Sequence, residues 1–382
     1  MSVCWECVVP TPTLRVAVLN IALSDPVPGR IRQKLSAPGH PRISRLAAMI
    51  QHVQPDVLLL CEFDHPGEGG DDGGLTDFCR YYLAEPQQGQ VAIDYPYRYC
   101  PPANTGLLCE ADLDGDGERT LPQDGQGYGF HHGHFSFVVL SRYPLIEEEI
   151  RSWQTLLWQQ MPDNQLPEGY YSPEARAQLR LSSKNHLLLP VQVGYQRFQL
   201  LCAHPTPPVF DGPERRNARR NHDELRLLMD IINDEAYLVD DQGNPGGLDK
   251  DMPFVLLGDL NADLHDGEGM VLALRHLLYH PRVHRAVAEG KLTPKSLGGR
   301  FFRPWKLRRG RSSEWTHLSG LRLDYVLPSA DFDVLNSGVF WPDKKDPLRR
   351  LVTDENGKER ADISSDHRLV WVDVRLPAVK SE

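Results

Sequence analysis

The chain has 382 residues, of which 40% are hydrophobic and 25% charged, an ordinary composition for a globular protein and long enough for one large α/β domain. A formal net charge of −10 argues against a protein built to coat nucleic acid, although it leaves room for a nuclease with a local basic groove. No run of about 18 apolar residues occurs, so stable membrane insertion is not expected.

In chain order, residues 1–13 read as an N-terminal extension, 14–376 as a single catalytic domain and 377–382 as a C-terminal tail. The first residues carry no basic region followed by an apolar core, which predicts a cytoplasmic protein as written. A processed or trimmed secreted or periplasmic chain would look the same. Cys4-x-x-Cys7 is half of a metal motif without its second half. Cys79, Cys100 and Cys109 lie close enough in sequence to pair in an oxidising compartment, whereas Cys61 and Cys202 sit inside apolar runs.

Strand-like runs are predicted at 15–20, 56–62, 135–141, 187–193, 198–204, 254–258, 322–327 and 368–374. Helical spacing predicts helices over 41–53, 214–233 and 269–278, the first with Pro41 in its opening turn. Long Gly/Pro/Asp-rich loops fill 64–74, 101–129, 205–213 and 236–252, and loops of that length in a compact domain are usually functional or mobile.

The apolar runs share an ending. Asn20 closes the first, Glu62 the second and His204 the fifth. The run Phe254-Val255-Leu256-Leu257-Gly258 delivers Asp259 and Asn261, LDYVL opens on its Asp324, and Ser364-Ser365-Asp366-His367 leads into the last run. Each alone has a plain structural explanation, since Asp and Asn favour turns and an isolated His is more often structural. Together they place acids, amides and imidazoles where α/β sheets gather ligands, at strand ends facing an open crevice.

The motifs LNIAL, DVLLLCE, FVVLSRYP, LLCAHPTPP, GDLNAD, LDYVLPS and SSDHRLV resemble the endonuclease/exonuclease/phosphatase superfamily, the DNase I-like fold group. HPTPPVFDGPERRN and SSKNHLLLPV are most similar to a bacterial, often exported branch. The resemblance spans residues 14–376 and implies a four-layer α/β sandwich, two packed mixed sheets flanked by helices. It also implies metal-assisted hydrolysis of a phosphate ester. Glu62 is the implied main ligand of Mg²⁺ or Mn²⁺, with Asn20 and Asp366 beside it, in keeping with the preference of hard cations for oxygen. Asp259 is implied to orient and deprotonate the attacking water, and Asn261 to donate to a phosphate oxygen. His367, fixed in one tautomer by Asp324, lies by implication against the scissile phosphate. His204 takes the place of a second active-site histidine, whose usual carboxylate partner has no evident counterpart near residues 97–104.

Further features stand outside that core. Asp112, Asp114, Asp116 and Glu118 follow the opening of a calcium loop, with Gly117 after the third acid, so a structural Ca²⁺ is expected, the alternative being a flexible acidic turn. Arg216, Arg220 and Asn221, at the start of the helix after His204, are candidate substrate-binding residues. Residues 291–311 mix basic side chains with Phe301, Phe302 and Trp305, a pattern suited to a phosphate backbone and stacked bases. His131, His132 and His134 could hold a transition metal. The expected partner is therefore a phosphate ester, nucleic acid among the candidates, with no obligate protein partner evident. The alternatives are a DNA/RNA endonuclease of the same fold and a catalytically silent protein that binds phosphorylated ligands.

Overall fold

The computed structural model describes residues 12–377, so Cys4 and Cys7 lie outside the described residues. The strands are β1 (Thr13–Leu23), β2 (Val57–Phe63), β3 (Tyr97–Tyr99), β4 (Phe137–Ser141), β5 (Arg151–Ser152), β6 (His186–Val193), β7 (Gln196–Ala203), β8 (Phe254–Asp259), β9 (Asp324–Pro328), β10 (Asp333–Val339) and β11 (Val370–Arg375). They form a six-stranded sheet in the order β10-β11-β1-β2-β4-β3 and a five-stranded sheet in the order β5-β6-β7-β8-β9. Each sheet contains one parallel pair, β1 with β2 and β7 with β8, among antiparallel neighbours.

A parallel pair needs a long crossover, and each is bridged by an amphipathic helix, Pro41–Val53 in one sheet and Arg216–Asn233 in the other. Period-two alternation then decides the layers. Leu14, Val16, Val18, Val57, Leu59 and Cys61 face Leu187, Leu189, Phe198, Leu200, Cys202 and Val255 in a core between the sheets. The opposite side chains, such as Ala17, Leu19, Leu58 and Leu60, meet Leu46, Met49 and Ile50 of the first helix. Leu201, Phe254 and Leu256 meet Leu225, Leu228 and Ile232 of the second. The result is the four-layer α/β sandwich expected.

The strands not anticipated are β3, β5 and β10. The first two have three and two residues. In β10, an edge strand, the register shifts between Val334 and Asn336 and leaves Leu335 and Asn336 both exposed, so the buried Val334, Gly338 and Val339 write no alternating pattern. Gly258 is needed because a Cβ there would collide with the carbonyl oxygen of Ala203 on β7. Cys79, Cys100 and Cys109 are free and buried in the structure. No helix of the described residues is long and apolar enough to cross a membrane.

Leu189 is fully buried between the sheets. Leu189→Ala is expected to lower unfolding free energy by about 2–5 kcal/mol in urea titrations. A loss within experimental error of zero would contradict a close-packed inter-sheet core.

Candidate active site

Strand direction brings the chemically capable residues to one end of the sandwich. Asn20 lies near the end of β1, where the β1–β2 register shifts, and Glu62 near the end of β2. His204 follows β7 and Asp259 ends β8. The antiparallel register of β8 and β9 sets Asp324 opposite Asp259. His367 precedes β11, and its loop is tied to β1 through Ser365, whose hydroxyl donates to the Asn20 carbonyl and accepts the His367 N–H.

One atom organises the site. Oδ2 of Asp259 accepts from Asn20 Nδ2 at 2.9 Å and is faced by His204 Nε2 at 3.5 Å and His367 Nε2 at 3.7 Å. Its other oxygen accepts the N–H of Asn261. Burial alone would raise this carboxyl, but the His367 charge, the His204 contact and the Asn20 bond outweigh it and hold Asp259 well below the usual carboxylate range. His367 is its counterpart: burial opposes its charge, yet Asp324 and Asp259 hold its pKa well above the ordinary value. Asp324 accepts from His367 Nδ1 at 2.9 Å and from the Thr316 hydroxyl at 2.6 Å, which fixes the ring with Nε2 toward Asp259.

Asn20 also donates to Glu62 Oε1 at 3.0 Å, and its own Oδ1 accepts the Ala22 N–H. Asn20 thus serves as a clamp between two carboxylates. Glu62, on left-handed backbone at φ 56°, lines the adjoining cavity, and among the described residues only its Oε1 accepts a hydrogen bond. Asp366 accepts from His317 Nε2 at 3.2 Å, and Glu62 and Asp366 both act on the charge of Arg42. Oxygen donors of this kind fit a hard divalent cation. Asp259, Asp324 and His367, and likewise His317, Asp366 and His367, bring ligand atoms within 4.8 Å of one another.

Two residues of this site were not among the candidates read from the sequence. His317 stacks against His367 with ring centroids 4.5 Å apart. Lys184, in the loop before β6, is 6% exposed and lines the cavity with Glu62, His204, Asp259 and Asn261. Its ammonium has no hydrogen bond or ion pair among the described residues. Burial lowers its pKa, against the pull of Glu224, Glu62 and Asp259. In the sequence it stands three residues before the apolar run of SSKNHLLLPV, separated from it by Asn185 and His186.

The remaining candidates are placed as follows. Arg216 lines the cavity, its guanidinium over the Tyr170 ring. Arg220 is buried and donates to the carbonyls of Leu181, Gln126 and Arg180. Asn221 donates to the carbonyls of Thr206 and Leu260, linking the loops that follow His204 and Asp259. His204 Nδ1 is buried without a partner among the described residues, and Asn104 is bonded to the carbonyls of Gln154 and Ser182 instead. In the acidic loop Asp112 accepts from Gly115 and Gly117, and the carboxylates that converge are Asp112, Asp114 and Asp124, not Asp116 or Glu118. The basic stretch reaches the site's flank, where Arg308 donates to Ser319 O beside His317. His131 and His134 gather with Asp64, but His131 Nε2 already meets the Asp25 carbonyl and His134 Nδ1 the Phe130 N–H.

The sequence profile of the Endonuclease/Exonuclease/phosphatase family matches residues 19–367, and the chain belongs to that family. Members of this family are hydrolases acting on phosphate esters. Solved structures similar to the chain include an endonuclease/exonuclease/phosphatase from Beutenbergia cavernae, 21% identical, covering 96% of this chain and 72% of that one with a TM-score of 0.46. A family protein from Bacteroides thetaiotaomicron is 13% identical, covering 96% and 99% with a TM-score of 0.49. The human Nocturnin catalytic domain is 14% identical, covering 96% and 95% with a TM-score of 0.44. No curated protein matches the sequence.

The raised pKa of His367 sets a sign. The folded state holds that proton more tightly than the unfolded chain, so its stabilisation is complete below about pH 6.5 and is lost as pH rises through the folded value. In EDTA, the stability advantage of wild type over His367→Gln is expected to shrink steadily above about pH 6.5 in urea titrations. A difference that stays constant to pH 9 would contradict the Asp324–His367–Asp259 arrangement.

Proposed function

We propose that the chain is a divalent-metal-dependent phosphoesterase that hydrolyses a phosphomonoester or phosphodiester by attack of water. The observation that carries this reading is the buried Asp259 carboxylate, kept ionised by Asn20, His204 and His367 and placed beside Glu62 at the wall of an open cavity. Glu62 and Asp366, with Asn20 holding Glu62 in place, would hold Mg²⁺ or Mn²⁺, which would draw charge from the phosphoryl oxygens and stabilise the leaving group.

The chain's own groups divide the remaining work. Asp259 accepts a hydrogen bond from the attacking water, fixes its direction and stands placed to take its proton. Asn261 reaches its position on left-handed backbone at φ 51°, its amide anchored on the Pro205 carbonyl. His367 presents a cationic N–H, the stronger kind of donor for phosphoryl oxygen. His204, on the same wall, serves the transition state or the leaving oxygen. Lys184 adds a second fixed positive charge to the phosphate position, where a preorganised charge acts without solvent reorganisation. Arg216 stands at the cavity for an outlying anionic group. A nuclease substrate remains within this reading, supported by the basic stretch on the flank.

The test is hydrolysis of bis-p-nitrophenyl phosphate and p-nitrophenyl phosphate in Mg²⁺, Mn²⁺, Ca²⁺ or EDTA. Metal-dependent turnover is expected, with kcat/KM reduced by about 10²–10⁴-fold in Asp259→Ala and His367→Ala. Absence of turnover with every metal, in protein shown to be folded, would favour the silent phosphate-binding alternative. Lys184→Met is expected to cost about 10²–10³-fold in kcat/KM without loss of folding stability, since it removes a buried charge rather than a packed contact. Unchanged kcat/KM in Lys184→Met would assign that residue to charge balance alone.

A further inference from the structure

The cavity that receives Glu62, Lys184, Asp259 and His367 is far larger than a phosphate group. Its volume is about 570 Å³, within the span of about 300–1,000 Å³ that encloses small organic molecules. Its composition is divided. The reacting groups occupy one wall, and Leu113, Pro122, Phe135, Leu179, Val209 and Phe210 form others.

The backbone supports the same division. Non-glycine residues with left-handed backbone are uncommon, and bulky ones are outliers that cluster at functional sites. Among those here, Glu62, Phe135, Phe210 and Asn261 all line this one cavity, with φ of 56°, 60°, 59° and 51°. The fold therefore accepts the same backbone strain to present two phenyl rings as it does to present a carboxylate and an amide of the reacting wall. Phe135 is held in place by its N–H on Asp64 Oδ1. Phe210, in the loop after His204, is 92% exposed, so its ring packs on little of the protein itself.

Resting on the phosphoesterase reading, we propose that the group esterified to the substrate phosphate is apolar, an aryl or alkyl moiety, and that Phe135 and Phe210 grip it. Burial of such a group would supply binding that the phosphate contacts cannot, and it would select among phosphate esters that look alike to Glu62 and Asp259.

Binding of methyl-, phenyl- and hexylphosphonate, measured by calorimetry in Mg²⁺, tests this without requiring turnover. The phenyl or hexyl compound is expected to bind about tenfold or more tightly than the methyl compound. Phe210→Ala is expected to cut that ratio at least threefold, whereas Tyr195→Ala, on the fully exposed β6–β7 turn, leaves it unchanged. Tighter binding of the phenyl compound assigns an aryl substrate, and tighter binding of the hexyl compound an alkyl one. Three equal affinities, undetectable binding of all three, or a ratio unaltered in both Phe135→Ala and Phe210→Ala would overturn the inference. The hydrolysis reading fails separately, by loss of turnover on the nitrophenyl esters while the phosphonate ratio persists.

Discussion

A carboxylate removed from water must be compensated on the spot, and the Asp259 side chain is compensated from both sheets at once. Asn20 belongs to the six-stranded sheet and Asp259 to the five-stranded one, so their 2.9 Å bond crosses the sandwich at its catalytic end. Ser365 adds a second tie to the same point of β1. The geometry of the site is therefore a property of how the sheets dock. A small shift between them would lengthen the Asn20 bond and part the two histidines from their shared oxygen.

The loops are subordinate to that docking. Asn221, projecting from the helix that spans β7 and β8, holds the carbonyls of Thr206 and Leu260 in one amide. Thr316 accepts the N–H groups of Leu323 and Asp324 while donating to the Asp324 carboxylate. These residues touch no reacting atom, yet they decide where His204, Asn261 and His367 stand, the kind of support that catalytic groups require to hold sub-ångström placement.

How much of this was written in the sequence varies with how local the signal is. The helix Pro41–Val53 was legible to the residue at both ends, because its apolar spacing and its leading proline are properties of a short window. The strand-end residues could be read for a similar reason, since a polar, chemically capable group that closes an apolar run stands out against its neighbours. What escaped was set by long-range packing. Lys184 looks like any solvated loop lysine until β6, β7 and β8 close around it. His317 acquires its place only through the bridge that pairs it with His367, fifty positions on. Arg220, read as an anion-binding candidate from its place at a helix start, lines the cavity, but its Nε and one terminal nitrogen are taken by backbone carbonyls, a use that only long-range packing reveals. The left-handed backbone at Phe135 and Phe210 has no sequence mark at all, since a bulky side chain is an outlier there.

The pairing of β1 with β11 has a geometric corollary. Thr13 lies directly opposite Arg375, so the chain enters and leaves the sandwich at neighbouring points. Asn20 is seven positions further along β1, a rise of about 23 Å toward the other end at strand spacing. A group carried at Thr13 or at Arg375 would therefore sit at the base of the sandwich, on the side away from the cavity.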